Sequence, residues 1–344
     1  MAFSRPGPAF KEAAPPKYRV TGYGPNEDIR IVLIGKTGNG KSSSGNTILN
    51  RLVFRSLCSA GSVTSECSKA RGVVHGCRVA VIDTPGIYDT KYTEAELGRK
   101  LKECISLSAP GPHVFLIVVK LGKFTEEEQK TVQFLSQVFG ERAAAYSMVL
   151  FTHGDQLRGT TIQEYISGSE QLCDLLSSCS WRYHVFSNTF YNHCQLGQLL
   201  AKIKKMISDN GGSYYTNPAY QGAEEAIQKQ AKRIMEVNEE QRHREEERLR
   251  TRLVGEQLQK RIEELEAEYK RKSREKAEKK NKFVNPAMVV ATAEAGVAIG
   301  LAATAVGGPL CMGVGAVVGG VTGALVGLLA PGAGKALKEK CTIQ

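Results

Sequence analysis

The chain has 344 residues, 42% of them hydrophobic, and a formal net charge of +11 at pH 7. This length and composition predict one or two domains with full hydrophobic cores. Its nine cysteines form no metal-type CxxC pairs and follow no apolar leader, which argues against a secreted disulfide-bonded protein and predicts reduced thiols in the cytosol. The net charge is compatible with an anionic membrane, a phosphate-rich ligand or nucleic acid as a partner. The distribution of the charge along the chain must distinguish these partners.

Two zones come first along the chain. Residues 1–27 are proline-rich and lack the apolar stretch of a targeting signal, so we expect a flexible arm. From residue 28 to residue 220, short apolar runs alternate with helical patterns, which predicts an α/β domain with a doubly wound, mainly parallel sheet and helices on both faces. The apolar runs are IRIVLIG, RVAVID, HVFLIVV, YSMVLFT and YHVFSN.

The first apolar run leads directly into a phosphate-binding motif. The sequence GKTGNGKS fits GxxxxGK[ST] between a strand and a helix, which is the context the motif requires. Backbone N–H groups of such a loop turn inward around a β-phosphate, and the helix N-terminus adds partial positive charge. We expect Lys41 to bridge the β- and γ-phosphates and the Ser42 hydroxyl to bind Mg²⁺. The predicted nucleotide contacts here are Gly35, Lys36, Thr37, Gly38, Asn39, Gly40, Lys41 and Ser42.

Two further elements are predicted to face the metal ion and the γ-phosphate. In the stretch GSVTSEC, Thr64 is the candidate switch threonine for Mg²⁺ and the γ-phosphate, and neighbouring hydroxyl residues leave the choice open. The run RVAVID ends in Asp83, which is expected to bind Mg²⁺ through a water molecule. Gly86 follows in the sequence DTPG, where its amide would hydrogen-bond the γ-phosphate and report its presence.

The base site is predicted after the run YSMVLF. The sequence THGD resembles the [NT]KxD element, and a carboxylate at Asp155 would accept hydrogen bonds from guanine N1–H and N2–H₂, a donor pair that adenine lacks. His153 replaces the usual lysine and is expected to stack on the base. Gly154, between His153 and Asp155 in the sequence, is also a predicted nucleotide contact. Asn188 is placed to approach the other side of the base. Taken alone, an ordinary Gly-Asp turn also fits this stretch.

Residues 222–282 are rich in Glu, Lys, Arg and Gln. Leu258, Ile262, Leu265 and Tyr269 recur at helical spacing, but only about two heptads are clean. A long solvated helix and a coiled coil therefore both fit this zone.

Residues 286–334 form two apolar, glycine-rich arms with a single charge, Glu294. Each arm approaches the roughly 20 residues of a bilayer-spanning helix. Basic residues precede the arms and continue in the basic tail 335–344, which predicts a membrane hairpin with both ends in the cytoplasm. A flexible tail and a hairpin buried against the protein itself are the alternatives. Part of the net positive charge therefore lies in the basic residues on either side of the apolar arms. Because the sequence has no nucleic-acid-binding motif, nucleic acid is not expected as a partner.

A family resemblance rests on GKTGNGKSSSGNTIL, DTPGIYDT and the stretch GPHVFLIVVKLGKFTEEEQKTV at residues 111–132. Residues 28 to about 215 resemble the immunity-associated nucleotide-binding GTPases, also called GTPases of immunity-associated proteins. The resemblance implies a Ras-like fold related to septins, binding of GTP and GDP with Mg²⁺, self-association through the nucleotide face, attachment to intracellular membranes and a role in immunity. Carried over by position, it adds Ser43 and Ser56 to the nucleotide contacts.

Slow hydrolysis is expected. A Ras-type enzyme orients water with a Gln just after the DxxG element, where this chain has Ile87 and Tyr88. The family resemblance implies an arginine supplied across a dimer from a Leu-Gly-Arg stretch. Here Lys123 stands at that position, as the candidate catalytic cation in trans, and lysine lacks the bidentate fork of arginine.

Three functional hypotheses follow. The first is a self-associating, GTP-dependent switch with weak GTPase activity, on the cytoplasmic face of an intracellular membrane or in the cytosol. The second is an oligomeric scaffold stabilised by nucleotide without significant turnover. The third is a membrane-perturbing hairpin protein controlled by its nucleotide-binding domain.

Overall fold

The computed structural model of the protein describes residues 27–56, 66–86, 94–125, 128–129, 135–136, 138–187 and 193–280. Several sequence predictions lie outside these residues and stay predictions. They concern the arm before residue 27, Thr64, Ile87, Tyr88, Asn188, the apolar arms 286–334 and the basic tail 335–344.

The strands and helices alternate along the first two thirds of the chain. The strands are β1 (Ile29–Ile34), β2 (Ser68–Val74), β3 (Cys77–Asp83), β4 (Val114–Lys120), β5 (Ser147–Thr152) and β6 (Tyr183–Val185). Within the described residues the α-helices are α1 (Lys41–Leu49), α2 (Glu94–Ser108), α3 (Ile162–Ser167), α4 (Glu170–Ser178), α5 (His193–Asp209), α6 (Pro218–Val237), α7 (Glu239–Arg250) and α8 (Gly255–Lys280).

The strands form one sheet in the order β2-β3-β1-β4-β5-β6. All neighbouring pairs are parallel except β2 and β3, which are antiparallel. The predicted doubly wound, mainly parallel sheet is therefore confirmed. Strand β2 was not predicted, because its sequence SKARGVV lies at the sheet edge, mostly half-exposed, and lacks the continuous apolar run of a central strand.

Helices cover both faces of the sheet. Alternate residues of β1 point to opposite sides: Leu33 packs in a cluster with residues of α1 and α5, and Val32 packs in a second cluster with residues of α2 and α6. A third cluster joins β4 and β5 to α3 and α4. Burial on both faces explains why the central strands read as continuous apolar runs.

The charged zone after residue 218 forms three helices instead of one long helix. Asn238 separates α6 from α7, and Gly255, at φ 62°, begins α8. Helix α8 then packs against α2, α6 and α7. The half-buried Tyr269, the last residue of the apolar seam of α8, donates its hydroxyl to Glu245 of α7 of the same chain at 3.1 Å. None of the described helices is both long enough and apolar enough to cross a bilayer.

Buried ion pairs hold the end of α8 against the sheet edge. The Lys69 ammonium of β2 lies 2.9 Å from the Glu278 carboxylate, and both side chains are almost fully buried. Arg274 donates to Glu224 of α6 at 2.6 Å and to Glu278 at 3.1 Å. Burial lowers the pKa of Lys69 to about 8 in spite of Glu278. Because a buried charge without its partner is costly, these pairs define where α8 docks.

Two buried histidines are predicted to make folding stability depend on pH. Burial lowers the pKa of His113 to about 2, with a further contribution from Arg30, and lowers the pKa of His184 to about 4. The unfolded chain takes up protons at both positions near pH 6.5, and the folded chain does not. As the pH falls from 6.5 to 5, stability should therefore decrease, with a slope that approaches about 1.4 kcal/mol per pH unit for each histidine.

Urea unfolding at pH 7.0 and pH 5.5 measures this effect. The variant His184→Gln should show a smaller loss of unfolding free energy between the two pH values than the wild type. The exposed His75, replaced by Asn, serves as the matched control and should leave the loss unchanged. An equal pH dependence in all three proteins would contradict the assignment.

Candidate nucleotide site at the carboxyl edge of the sheet

The predicted site residues lie at one edge of the sheet, at the carboxyl ends of the parallel strands. Strands β1, β3, β4, β5 and β6 run in one direction, so their carboxyl ends lie together. The phosphate loop follows β1, Asp83 ends β3, Lys120 ends β4 and Thr152 ends β5. This edge is where ligands bind in open α/β sheets.

The phosphate loop is shaped for close backbone approach and holds its lysine inside. Gly35 has φ 149°, and a Cβ there would lie 2.5 Å from the Val118 carbonyl oxygen, so only glycine fits. The Lys41 side chain is buried, and its Nζ donates to the carbonyls of Gly35 at 2.8 Å and Lys36 at 2.9 Å. The lysine charge is thus already placed within the loop, where the motif requires it for phosphates.

The predicted magnesium ligands lie side by side. Ser42 donates its hydroxyl to Asp83 Oδ2 at 2.6 Å. Asp83 is buried, and its Oδ1 has no hydrogen-bond partner within the described part of the chain. Burial raises the pKa of Asp83, against the Ser42 hydrogen bond and the Lys41 charge. A buried carboxylate oxygen that receives no hydrogen bond, next to a hydroxyl oxygen, provides the hard oxygen ligands that Mg²⁺ prefers.

Gly86 lies directly against the phosphate loop. A Cβ on Gly86 would come 2.0 Å from Thr37 Oγ1 and 2.9 Å from the Thr37 backbone nitrogen, so a side chain here would displace the loop. Among the described residues the buried Thr37 Oγ1 has no hydrogen-bond partner. The structure therefore joins the DTPG element to the loop, as its predicted role beside the γ-phosphate requires.

The base element lies beside the residues that follow β6. Gly154 donates its N–H to the Phe186 carbonyl at 2.9 Å, and Ser187 donates its hydroxyl to Asp155 Oδ1 at 3.2 Å. The Asp155 side chain is exposed at the edge of the sheet. Burial, aided by the Lys120 charge, lowers the pKa of His153, so its ring is neutral at physiological pH. A neutral ring suits stacking on a base.

The remaining predicted contacts are placed less directly. Ser43 lies in the first turn of α1, and its carbonyl accepts from the Thr47 hydroxyl at 3.0 Å. Ser56 lies beside α1, where Asn46 Nδ2 donates to its hydroxyl at 3.4 Å. Lys123 lines a cleft of about 480 Å³. The other cleft residues come from the phosphate loop, the segment after β4 and the turn after β5: Lys36, Thr37, Gly38, Asn39, Lys120, Leu121, Gly122, Thr125, Glu128 and Gln156.

A buried polar network around Asn39 was not predicted. Asn39 Nδ2 donates to the Val118 carbonyl at 2.9 Å and to Glu128 Oε1 at 3.0 Å. The Asn39 carbonyl accepts from the Thr152 hydroxyl at 2.9 Å. In the sequence Asn39 occupies a variable position of the motif, and Glu128 is the third of three consecutive glutamates. Neither feature indicates that the two side chains bond to each other.

The sheet order, the phosphate loop and the Ser42–Asp83 pair define a P-loop nucleotide-binding domain of the GTPase class. The sequence profile of the AIG1 family matches residues 29–236, and the chain belongs to this family. The predicted resemblance to immunity-associated nucleotide-binding GTPases is thereby confirmed, since the related proteins carry those names.

Two relatives and one solved structure illustrate the similarity. The chain is 32% identical over 200 residues to GTPase IMAP family member 8 of Homo sapiens, which covers 57% of this chain and 30% of that protein. It is 35% identical over 209 residues to Immune-associated nucleotide-binding protein 9 of Arabidopsis thaliana, covering 58% and 61%. Toc33 from Arabidopsis thaliana, solved with GDP and Mg²⁺, is 18% identical with a TM-score of 0.43, covering 55% and 87%. The matches span less than two thirds of these two relatives' lengths.

Proposed function

We propose that the protein is a GTP-binding molecular switch that self-associates through its nucleotide face and hydrolyses GTP slowly. The observation that carries this proposal is the shared edge of the sheet, where the Lys41 cation, the Ser42–Asp83 pair and the Asp155–Ser187 pair lie. The Lys41 cation suits phosphates, the Ser42–Asp83 pair suits a divalent cation, and the Asp155–Ser187 pair suits guanine.

Each group has a defined role toward GTP or GDP. Lys41 supplies a point charge to the β- and γ-phosphates, and its present carbonyl partners are replaced or supplemented by phosphate oxygens. The Ser42 hydroxyl and the Asp83 carboxylate would hold Mg²⁺, with Asp83 acting through water, and the ion would supply positive charge to the β- and γ-phosphates. Asp155 accepts from the guanine edge, and its bond from Ser187 fixes one carboxylate oxygen.

Slow turnover is supported by the residues that stand where hydrolytic groups are needed. Ile87 and Tyr88 replace the water-orienting Gln and have no side-chain group that suits this role. Lys123 lines the cleft beside the phosphate loop, at the same open edge. A second copy of the chain that approaches this edge would bring its own Lys123 toward the γ-phosphate.

Attachment to an intracellular membrane is the second part of the proposal. It rests on the basic residues at 270–282 and on the apolar arms 286–334 that follow them in the sequence. Flotation with anionic liposomes, with and without residues 286–344, tests it. Flotation that depends on these residues is expected, and equal flotation of both proteins would refute the membrane claim.

Nucleotide binding and self-association are tested together. A fluorescent GDP analogue should be displaced by GTP and GDP but not by ATP. Sedimentation velocity should show a larger species with the non-hydrolysable analogue GMPPNP than with GDP. Displacement by ATP as strong as by GTP would contradict the guanine assignment. Equal sedimentation in both nucleotides would contradict the switch and leave the nucleotide-bound scaffold.

The variant Lys123→Arg is expected to raise the GTPase rate of the self-associated protein by about tenfold or more. Arginine brings a planar fork that contacts two phosphoryl oxygens, and an arginine supplied in trans is worth about 10³ or more in other GTPases. Single-turnover assays at high protein concentration measure the change. Lys260→Arg, on the exposed face of α8, is the matched control and should leave the rate unchanged.

A further inference from the structure

The carboxylate of Glu128 joins two loops of the nucleotide edge. Its side chain is buried, with the residue 5% exposed. Oε2 accepts from the Thr125 backbone N–H at 2.9 Å and from the Thr125 hydroxyl at 3.1 Å. Oε1 accepts from Asn39 Nδ2 at 3.0 Å. One carboxylate thus satisfies three donors, two from the segment after β4 and one from the phosphate loop.

Half of this arrangement has an ordinary structural explanation. Thr125 and Glu128 have the spacing of a capping box, and Glu128 N–H also donates to the Thr125 carbonyl at 3.0 Å. A capping glutamate needs only the Thr125 contacts, and such residues are commonly exposed. The burial of Glu128 and its second oxygen on Asn39 go beyond capping.

The loop that carries Lys123 is held at both ends. At its start, Leu121 N–H donates to the Thr152 carbonyl at 3.1 Å, and the Tyr165 hydroxyl donates to the Gly122 carbonyl at 2.6 Å. At its far end, the Thr125 backbone N–H and hydroxyl both donate to the Glu128 carboxylate, and the Thr125 carbonyl accepts from the backbone N–H groups of Glu128 and Gln129. Among these contacts, the Glu128 side chain is the one that also reaches the phosphate loop, through Asn39.

We propose that Glu128 is a positioning residue that couples nucleotide occupancy of the phosphate loop to the self-association face around Lys123. This inference rests on the proposed function. A phosphate in the loop orders Asn39, Asn39 orders Glu128, and Glu128 sets the end of the Lys123 loop. By linkage, self-association tightens nucleotide binding by the same factor as nucleotide tightens self-association.

The variant Glu128→Gln interrupts the series of hydrogen bonds from Asn39 through residue 128 to Thr125, and it does so without changing the size of the side chain. A glutamine amide has one acceptor oxygen, and its NH₂ group faces either Thr125 or Asn39, both of which are donors. Either orientation removes one link between the two loops. Thr125→Val is the matched control, because it removes a capping hydrogen bond of similar length and leaves the Asn39 link in place.

The first readout is the ratio of the self-association constants with GMPPNP and with GDP, measured by sedimentation. Glu128→Gln should reduce this ratio by about tenfold, the scale of one hydrogen bond to a charged group. Thr125→Val should keep it within about threefold of the wild type. Equal reductions in both variants would reduce Glu128 to a capping residue, and an unchanged ratio in a folded Glu128→Gln protein would overturn the coupling.

The second readout is hydrogen exchange of the monomer at low protein concentration. In the wild type, GMPPNP should protect amides of residues 121–125 as well as those of the phosphate loop. In Glu128→Gln the protection should remain in the phosphate loop and be lost at 121–125. Wild-type protein that shows this protection but no self-association would refute the proposed function and keep the coupling. Protection of both segments in the variant would overturn the coupling alone.

Discussion

Replacement of Lys41 by alanine is expected to weaken GTP binding by about a thousandfold. The Lys41 ammonium is buried among the carbonyls of the phosphate loop, so its contact with phosphates is poorly screened by water. Removal of one partner from a buried, hydrogen-bonded charge pair costs about 2–5 kcal/mol. Displacement titration with a fluorescent GDP analogue measures the loss.

The same titration on Lys260→Ala, which removes an exposed lysine of α8, controls for the loss of one positive charge. A melting curve without nucleotide shows whether Lys41→Ala remains folded. If a folded Lys41→Ala protein binds GTP within tenfold of the wild type, the phosphates do not lie in the loop of residues 35–42.

Asp155→Asn is expected to exchange the preference for guanine for a preference for xanthine. The carboxylate accepts from both N1–H and N2–H₂ of guanine, whereas asparagine has one acceptor and an NH₂ group that faces the guanine NH₂. Xanthine carries a carbonyl at that position, which accepts from the asparagine. Because hydrogen bonds to a charged group contribute about 1.5–3 kcal/mol each, GTP affinity should fall at least about a hundredfold, with xanthosine triphosphate binding more tightly than GTP.

Two controls separate this specificity change from general damage. Asp174→Asn makes the same chemical change on an exposed face of α4 and should leave both affinities unaltered. Ser187→Ala removes the 3.2 Å hydrogen bond to Asp155 and should weaken GTP binding only about threefold, since Asp155 is exposed and water replaces the hydroxyl. An unchanged ratio of GTP to xanthosine triphosphate affinity in Asp155→Asn would remove the base assignment.

The part of the fold that follows from sequence is the part with strong local signals. Strands β1, β4 and β5 are continuous apolar runs because helices bury both their faces. Strand β2 has no such signal, since its pairing with β3 and the packing of α8 determine it from outside. The three-helix arrangement after residue 218 depends on ion pairs such as Lys69 with Glu278, 209 residues apart, which no local pattern reveals.

The candidate site likewise has residues that sequence motifs predict and contacts that only the folded chain shows. Lys41, Ser42, Asp83 and Asp155 follow from motifs, because phosphate, metal and guanine chemistry require those residue types at those spacings. The motif predicts Asn39 only as a nucleotide contact, and the hydrogen bond between Asn39 and Glu128 joins two of the protein's own loops, so ligand chemistry does not reveal it. Their roles depend on the approach of two loops far apart in sequence, which only the folded chain shows.

Single-turnover hydrolysis of GTP across a range of protein concentrations tests the proposed switch most directly. If the protein self-associates through its nucleotide face and uses Lys123 in trans, the rate constant should be low in dilute protein and rise with concentration. Lys123→Ala should remove most of that rise and keep GTP binding. A rate constant that is the same at all concentrations, with GTP fully bound, would contradict a switch that is reset by its own self-association.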